Sequence, residues 1–152
     1  MREEPVASVF DLDKNGQKNP LVVAVARNES KHPLFTLEER KTMVRRAVRH
    51  LPNVEADAFT GLLIQYAERK RAQAVIRGLR AVSDFEFEFQ LALMNRKLNE
   101  RIETIFMMPK DAYTFLSSRI VKEIARLGGD VSAFVPAHVR TALQHKLEQA
   151  PA

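Results

Sequence analysis

Short apolar runs alternate along the chain with longer segments whose apolar residues recur at helical spacing. The clearest run, Leu21-Val22-Val23-Ala24-Val25-Ala26, contains no polar residue and is rich in β-branched side chains. Such a run is typical of a strand that is buried on both faces. Thr36 and Glu39 then form a capping-box pattern, and apolar residues at helical spacing follow until Pro52. The pattern predicts a strand, a loop and an amphipathic helix.

The same order of elements continues along the chain. Alternating apolar and acidic residues over 54–59 predict a second strand, and residues 62–71 have a helical pattern. Ala74-Val75-Ile76 and residues 102–108 are further apolar runs, which predict two more strands.

The segment between those two strands fits both a helix and a strand. Phe85-Glu86-Phe87-Glu88-Phe89 has a period of two, as a strand would. We predict a helix because strong helix formers continue the segment to Leu98, with Ser83 as its cap and Glu86 in the capping-box position. Its apolar residues would lie on two faces, which favours burial against another copy of the chain.

The last part of the chain is predicted to be helical. Residues 117–127 form one helix, with Gly128-Gly129 where a left-handed cap is expected, and Pro136 opens a second helix that runs to about Leu147. Strands separated by helices indicate an α/β fold, with a parallel sheet and helices on both faces.

Composition narrows the class of protein. The chain has 152 residues, of which 45% are hydrophobic, enough for the core of one domain. It has no cysteine, so disulfides, thiolate metal sites and cysteine nucleophiles are excluded. Apolar runs fall well short of the roughly 20 residues of a membrane helix. The start of the chain also lacks a secretory signal pattern, so we expect a soluble, intracellular protein.

Two loops that follow predicted strands carry cationic residues. Arg27, Lys31 and His32 follow the first strand, and Arg77-Gly78-Leu79-Arg80 follows Ile76. Ligands of parallel α/β folds bind outside the carboxyl ends of the strands, and the formal net charge of +5 favours anions. These loops therefore form a candidate phosphate site, although by pattern alone solvated surface charges are the more common explanation.

Four motifs stand together in one order and spacing. They are Ser30-Lys31-His32-Pro33-Leu34-Phe35-Thr36-Leu37-Glu38-Glu39-Arg40, Arg77-Gly78-Leu79-Arg80-Ala81-Val82-Ser83-Asp84-Phe85-Glu86, Met94-Asn95-Arg96 and Leu116-Ser117-Ser118-Arg119-Ile120-Val121-Lys122-Glu123. From about residue 21 to residue 147 the chain resembles the bacterial phosphopantetheine adenylyltransferase family.

The resemblance implies a Rossmann-like nucleotidyltransferase of coenzyme A biosynthesis. Its members transfer AMP from ATP to 4′-phosphopantetheine and release dephospho-coenzyme A and pyrophosphate. They are cytoplasmic homohexamers that use Mg²⁺ with ATP. A nucleotidyltransferase-like domain is thus expected over residues 21–147, between a divergent segment 1–20 and a tail 148–152. Neither nucleic acid nor membrane is an expected partner.

The resemblance also implies roles for particular residues. Lys31 and Arg77 would contact the phosphate of phosphopantetheine, and Leu63 would line the channel for its pantetheine arm. The residues expected to contact ATP are Gly78, Leu79, Arg80, Glu88, Tyr113, Thr114, Phe115, Leu116, Ser117, Ser118 and Arg119. For Ser117 and Ser118, ordinary capping of the following helix is the alternative. No residue is expected to bind a metal ion directly.

The first 20 residues depart from the family pattern. The family has a Thr-Asn-Gly-His motif, whereas here Gln17 stands at the histidine position, so no catalytic residue is identified. Too few residues separate Phe10 from Leu21 for a parallel crossover with a helix. We therefore predict that the family's first strand and helix are altered. The run Asp11-Leu12-Asp13-Lys14-Asn15-Gly16 resembles the opening of a calcium loop, but Val22 stands where that loop needs a glutamate.

Two further functions are compatible with the sequence. The chain could bind coenzyme A or phosphopantetheine without turnover, given the missing histidine. It could also bind nucleic acid through the basic residues of the first predicted helix, although such a stripe is more often a solvated face. Those residues are Arg40, Lys41, Arg45, Arg46 and Arg49.

Overall fold

The computed structural model describes residues 7–10, 20–27, 32–80, 82–110 and 113–149, with side chains omitted for 7–10 and 82–84. The strands are β1 (Ala7–Phe10), β2 (Leu21–Ala26), β3 (Val54–Phe59), β4 (Ala74–Gly78) and β5 (Glu103–Met107). The helices are α1 (Leu37–Val48), α2 (Leu63–Arg69), α3 (Val82–Leu98), α4 (Ser118–Arg126) and α5 (Ala137–Glu148). The chain divides into a larger unit, Glu4–Thr114, and a smaller one that contains Phe115–Ala152.

The larger unit is built on a five-stranded sheet with the order β3-β2-β1-β4-β5. β2 pairs with β3, and β4 with β5, in parallel. The connection through α1 leads from β2 outward to β3. Those through α2 and α3 lead the opposite way across the sheet, from β3 to β4 and from β4 to β5. Right-handed crossovers therefore place α1 on one face of the sheet and α2 and α3 on the opposite face. The predicted α/β fold is confirmed.

The central strand differs from the expected parallel sheet. β1 is antiparallel to both neighbours, with Phe10 opposite Leu21 in β2 and Ala74 in β4. The segment 11–19 lies outside the described residues, and so does the run that resembles a calcium loop. Antiparallel neighbours do not need the long crossover that parallel neighbours require, so the pairing of β1 with β2 fits the short spacing between Phe10 and Leu21. The expected alteration of the first strand thus takes the form of a reversed strand.

The core of the larger unit lies where the sheet meets α2. It consists of Val22, Ala24, Phe59, Ile64, Tyr66, Ala67, Ala72, Val75 and Ile102. Phe59 and Tyr66 stack with their ring centroids 4.7 Å apart. The apolar runs of β2 and β4 supply much of this core, which explains why their positions could be predicted from sequence.

Helix boundaries follow local chemistry. Thr36 caps α1 through a complete capping box: the Thr36 N–H donates to Glu39 Oε2 at 2.7 Å, and the Glu39 N–H donates to Thr36 Oγ1 at 3.2 Å. The segment 82–98 is helical, as predicted, but Ser83 is not its cap because the helix already begins at Val82.

The smaller unit contains α4 and α5, which pack together around the buried Val121, Val131 and Leu143. α4 ends just before Gly128, whose φ of +78° is the left-handed conformation predicted there. Pro136 directly precedes α5 as its N-cap. Among the described residues, no helix is both long enough and apolar enough to cross a membrane.

Candidate active site

The carboxyl ends of four parallel strands lie at one edge of the sheet. Ala26 at the end of β2 is in register with Phe59, and Gly78 at the end of β4 is in register with Met107. The backbone pairing continues past the strands, since the Arg27 N–H donates to the Phe59 carbonyl and the Leu79 N–H donates to the Met107 carbonyl, both at 2.9 Å. This carboxyl edge is where α/β folds bind ligands.

Arg77 and Glu88 form a buried ion pair beside this edge. Arg77 Nε and Nη2 donate to the two carboxylate oxygens of Glu88, each at 2.8 Å. The two residues are only 3% and 6% exposed. β4 supplies the arginine and α3 the glutamate, so the pair also ties the helix to the sheet. The structure thus brings together two residues that the sequence analysis assigned to different ligands. Arg77 Nη1 takes part in neither of the two hydrogen bonds.

The residues after Arg77 follow it onto the same edge. A Cβ added to Gly78 would meet no protein atom within 4 Å, so the backbone there is open to a ligand. Leu79 is buried and Arg80 is half-buried. The Arg-Gly-Leu-Arg motif therefore places one open backbone position between a buried cation and a second, more accessible one.

The other predicted contacts are placed more widely. Leu63 begins α2 and packs against the core of the larger unit. Tyr113 and Thr114 belong to the larger unit, whereas Phe115, Leu116, Ser117, Ser118 and Arg119 belong to the smaller one. Ser117 caps α4, because its Oγ accepts from the Ile120 N–H at 3.2 Å. Lys31 and Gln17 lie outside the described residues.

A pocket of about 690 Å³ opens at the carboxyl end of β2. We call it the β2-end pocket, and it is lined by Arg27, His32, Pro33, Thr36, Leu37, Glu38 and Arg40. His32 has a φ of +40°, a left-handed conformation that a residue other than glycine adopts at a cost in strain. Most residues that line the pocket belong to the first motif of the resemblance, residues 30–40, and the pocket lies between the end of β2 and the start of α1.

Arg40 lies partly buried in the wall of the β2-end pocket. Its Nη1 donates to the carbonyl of Ala26 at 3.2 Å. Its Nε is buried and has no hydrogen-bond partner in the part of the chain that the structure describes. Burial lowers the pKa of Arg40.

A second cluster of charged groups surrounds Asp57 at the edge of the sheet. Asp57 Oδ2 accepts from Tyr66 Oη at 2.9 Å and lies 2.7 Å from Lys70 Nζ. Lys41 Nζ lies 3.5 Å from Oδ1, and Lys70 also pairs with Glu55 at 3.3 Å. A pocket of about 620 Å³ lies between α1, β3 and α2, and its lining includes Asp57, Tyr66, Lys41, Lys70, Glu38, Arg69 and Thr60.

The pKa values in this cluster follow from its contacts. Burial raises the pKa of Asp57, but hydrogen bonds from Lys70, the Ala58 N–H and Tyr66 outweigh it and hold that pKa far below its usual value. Burial and the hydrogen bond to ionised Asp57 raise the pKa of Tyr66. The hydrogen bond to Asp57 also raises the pKa of Lys70. At neutral pH the cluster therefore holds a carboxylate, an ammonium and a neutral phenol.

Sequence reasoning missed the surroundings of Arg40 and Asp57. The sequence analysis grouped Arg40 with the other basic residues of α1. In the structure its guanidinium donates to the Ala26 carbonyl at the end of β2. Asp57 occupies an ordinary polar position of an alternating strand. Both contacts join elements that are distant in sequence, and the capping box at Thr36, which fixes where α1 starts, is the signal that could have placed Arg40.

The described residues contain no group of three or more His, Asp or Glu side chains that could hold a metal ion.

The direction of β1 determines on which side of the sheet the chain leaves this strand. Phe10 is the last residue of β1 and lies at the amino end of β2 and β4, opposite the edge that carries Gly78. The chain therefore leaves β1 on the side away from the candidate site.

A family comparison agrees with this arrangement. The sequence profile of the cytidylyltransferase-like family matches residues 4–124, well over half of the chain. The match includes the whole sheet and the loops at its carboxyl edge. Nucleotidyl transfer is the activity of that superfamily, and phosphates are the groups that such a reaction must position. The chain therefore belongs to the cytidylyltransferase-like family of nucleotidyltransferases.

Proposed function

We propose that this protein is a phosphopantetheine adenylyltransferase, which transfers AMP from ATP to 4′-phosphopantetheine and forms dephospho-coenzyme A and pyrophosphate. The four motifs that resemble this enzyme family support the proposal, as does membership of the wider nucleotidyltransferase family. The observation that carries it is the Arg-Gly-Leu-Arg segment at the carboxyl end of β4, where Glu88 holds Arg77 beside the open backbone of Gly78.

The chemistry requires two anions to be held in line. An oxygen of the phosphopantetheine phosphate attacks the α-phosphorus of ATP, and the bond from that phosphorus to the oxygen of the pyrophosphate group breaks. No covalent intermediate on the protein is needed, so positioning and charge stabilisation supply the rate enhancement. Cations at the carboxyl edge perform both tasks. Because Arg77 is fixed by two hydrogen bonds, it presents its charge at one place without losing side-chain entropy when a ligand binds.

Each predicted contact keeps its role in this proposal. Arg77 and Lys31 bind the phosphate of phosphopantetheine, and Leu63 lines the channel for the pantetheine arm. Gly78, Leu79 and Arg80 contact ATP, as does the segment 113–119. Glu88 contacts ATP in the resemblance, and its ion pair gives it the additional task of positioning Arg77.

Magnesium would enter with the nucleotide. Mg²⁺ is usually held by a few carboxylates together with phosphate oxygens and water. The described residues offer no cluster that could hold it, so we propose that the triphosphate oxygens of ATP bind the ion. The ion would partly neutralise the phosphates, and no step described above is assigned to it.

Pyrophosphate release from ATP in the presence of 4′-phosphopantetheine tests this function. Gly78→Ala is the sharpest variant, because the added methyl group meets no protein atom and only a bound ligand would encounter it. We expect an unchanged melting temperature and a rise in the KM for ATP. No pyrophosphate release by the wild-type chain would contradict the proposed activity.

A second function is favoured by the reversed direction of β1, namely binding of phosphopantetheine or coenzyme A without turnover. The family motif that ends in histidine is absent, and β1 ends at the edge opposite Gly78. Calorimetry distinguishes the two functions. Binding of 4′-phosphopantetheine without pyrophosphate release would identify a binding protein, whereas release at a rate that depends on both substrates would identify the enzyme.

We also propose the partners that the resemblance implies. The protein would bind ATP, 4′-phosphopantetheine and the coenzyme A products, and it would act in the cytoplasm as a homohexamer. The exposed apolar residues of α3 support association with further copies of the chain. Nucleic acid and membranes are not among the proposed partners, since the basic residues at the carboxyl edge suffice for phosphorylated small molecules.

A further inference from the structure

Arg40 differs from Arg77, Lys41 and Lys70 because no carboxylate of the described residues neutralises it. Arg77 pairs with Glu88, and both Lys41 and Lys70 pair with Asp57. Among the described residues, Arg40 has one hydrogen bond, from Nη1 to the neutral Ala26 carbonyl, and no ion pair. A partly buried guanidinium without a counter-charge is unfavourable in the absence of ligand.

The position of Arg40 indicates what could neutralise it. The residue lines the β2-end pocket, which opens at the carboxyl edge of the sheet and has room for a small molecule. Arg27 and His32 line the same pocket, whereas its acidic residue, Glu38, is exposed and its charge is screened by solvent. A small anion that enters this pocket would meet a guanidinium that is already anchored at Nη1.

We propose that Arg40 is a phosphate-binding residue, and that the β2-end pocket takes a phosphate monoester or a polyphosphate chain. The inference rests on the proposed function, because both substrates of that reaction carry such groups. The bond to Ala26 holds Nη1, and Nη2 lies outside that bond, so it is free to donate to a phosphate oxygen. Arg40 is thus assigned to the binding site and not to the basic surface residues of α1.

This role predicts an unusual combination of effects on stability and binding. Replacing Arg40 by glutamine removes a charge that is unfavourable in the unliganded protein. We expect the melting temperature to stay within about 2 °C of the wild-type value or to rise. Affinity for a phosphate ligand should fall by about tenfold to hundredfold, the usual effect of losing one charge-assisted contact.

Titration calorimetry on the full chain tests the inference with three ligands: inorganic pyrophosphate, ATP and 4′-phosphopantetheine. The variants are Arg40→Gln and Arg40→Lys, with Arg45→Gln as a control that lies exposed on the same helix and outside the pocket. Arg40→Lys should bind more tightly than Arg40→Gln, because it keeps the charge, and it carries the test if Arg40→Gln fails to fold. If the Arg40 variants lose affinity only for ATP and pyrophosphate, the pocket takes a polyphosphate chain. If they lose affinity only for 4′-phosphopantetheine, it takes a phosphate monoester.

The outcomes separate this inference from the proposed activity. Binding of pyrophosphate that depends on Arg40 supports the inference even if the chain releases no pyrophosphate from ATP, a result that defeats only the activity. Equal affinities of Arg40→Gln and the wild type for all three ligands overturn the inference and leave the activity untouched. A wild-type chain that binds none of the three ligands overturns both the inference and the proposed activity. An equal loss of affinity in Arg45→Gln overturns the role assigned to Arg40.

Discussion

At the residue scale, the Arg77–Glu88 pair joins site chemistry to stability. A guanidinium and a carboxylate that are both nearly inaccessible to solvent are stable together only because two hydrogen bonds compensate their lost hydration. Removing one partner leaves the other buried and uncompensated. An activity assay on a single variant would therefore mix loss of a ligand contact with loss of folded protein.

We predict that Glu88→Gln lowers the free energy of unfolding by about 3–5 kcal/mol, because it leaves the Arg77 charge without a counter-charge. The double variant Arg77→Met/Glu88→Leu should lose less than the sum of the single variants, since no isolated charge remains. Urea unfolding followed by circular dichroism measures each value. Additive losses would show that the two side chains do not stabilise each other.

Asp57 is the second residue whose charge is held by its neighbours. Its pKa is lower in the folded chain than in the unfolded one, so the unfolded state binds more protons as the solution is acidified. The stabilisation from ionised Asp57 is complete above the unfolded pKa of about 4 and is lost as the pH falls toward the folded pKa.

We therefore predict that Asp57→Asn is less stable than the wild type at pH 6 and that the difference shrinks steadily below pH 4. Urea unfolding between pH 2 and pH 6 measures the difference. Glu100→Gln, which changes an exposed residue outside the cluster, serves as the control. A stability difference that stays constant over this range would show that the ion pairs with Lys70 and Lys41 contribute nothing.

At the scale of the element, two helices end in the same motif with different residues. At the end of α2 the Ala72 N–H donates to the Ala67 carbonyl and the Arg71 N–H to the Glu68 carbonyl, both at 2.9 Å. At the end of α4 the N–H groups of Gly129 and Gly128 make the equivalent bonds. These are Schellman motifs, and each needs a left-handed residue just past the helix. Arg71 adopts it with a φ of +56°, whereas Gly128 does so without steric cost.

We predict that Arg71→Gly stabilises the larger unit by about 0.5–1 kcal/mol and that Gly128→Ala destabilises the smaller one by about 1 kcal/mol. Thermal and urea unfolding measure both changes. Arg69→Gly, within α2, is the control and should destabilise, because glycine there loses more backbone entropy. Stabilisation by both Arg71→Gly and Arg69→Gly would show that the left-handed cap is not the cause.

How far the sequence predicts these elements depends on whether the determining contacts are local. β2 was predicted with its exact ends, and so was the cap of α1, because a buried run and a capping box are written in neighbouring residues. The helical character of 82–98 followed from its later residues, although the first residue was misplaced by the choice of Ser83. The direction of β1 and the Arg77–Glu88 pair could not be predicted, because both are set by partners distant in the chain.

The candidate site shows the same limit. The Arg-Gly-Leu-Arg motif was predicted to lie at a strand end, and it does: Arg77 and Gly78 are the last two residues of β4. That Arg77 is held by Glu88 requires α3 to pack across β4, which no periodicity reveals. Arg40 illustrates the converse, because α1 also carries the exposed cations Arg45 and Arg46, while the environment of Arg40 itself is set by the end of β2.

At the scale of the whole molecule, the apolar surface of α3 is larger than a solitary chain needs. Six large apolar side chains of this helix are each more than two-fifths exposed: Phe85, Phe87, Phe89, Leu93, Met94 and Leu98. β5, at the edge of the sheet, adds the exposed Ile105 and Met107. Exposed apolar side chains in this number are typical of an interface in soluble proteins. Within this protein's proposed function, a further copy of the chain is the occupant that fits.

We predict that the wild-type chain forms a homo-oligomer with a mass that is a multiple of 17.3 kDa, and that Phe89→Glu or Met94→Glu dissociates it. A carboxylate placed in an apolar interface would lose its hydration without gaining a partner, so association should weaken by several orders of magnitude. Light scattering after gel filtration measures the mass. Leu51→Glu, at an exposed apolar position outside α3, should leave it unchanged. A monomeric wild type would refute the association, and an unchanged oligomer in both α3 variants would place the interface elsewhere.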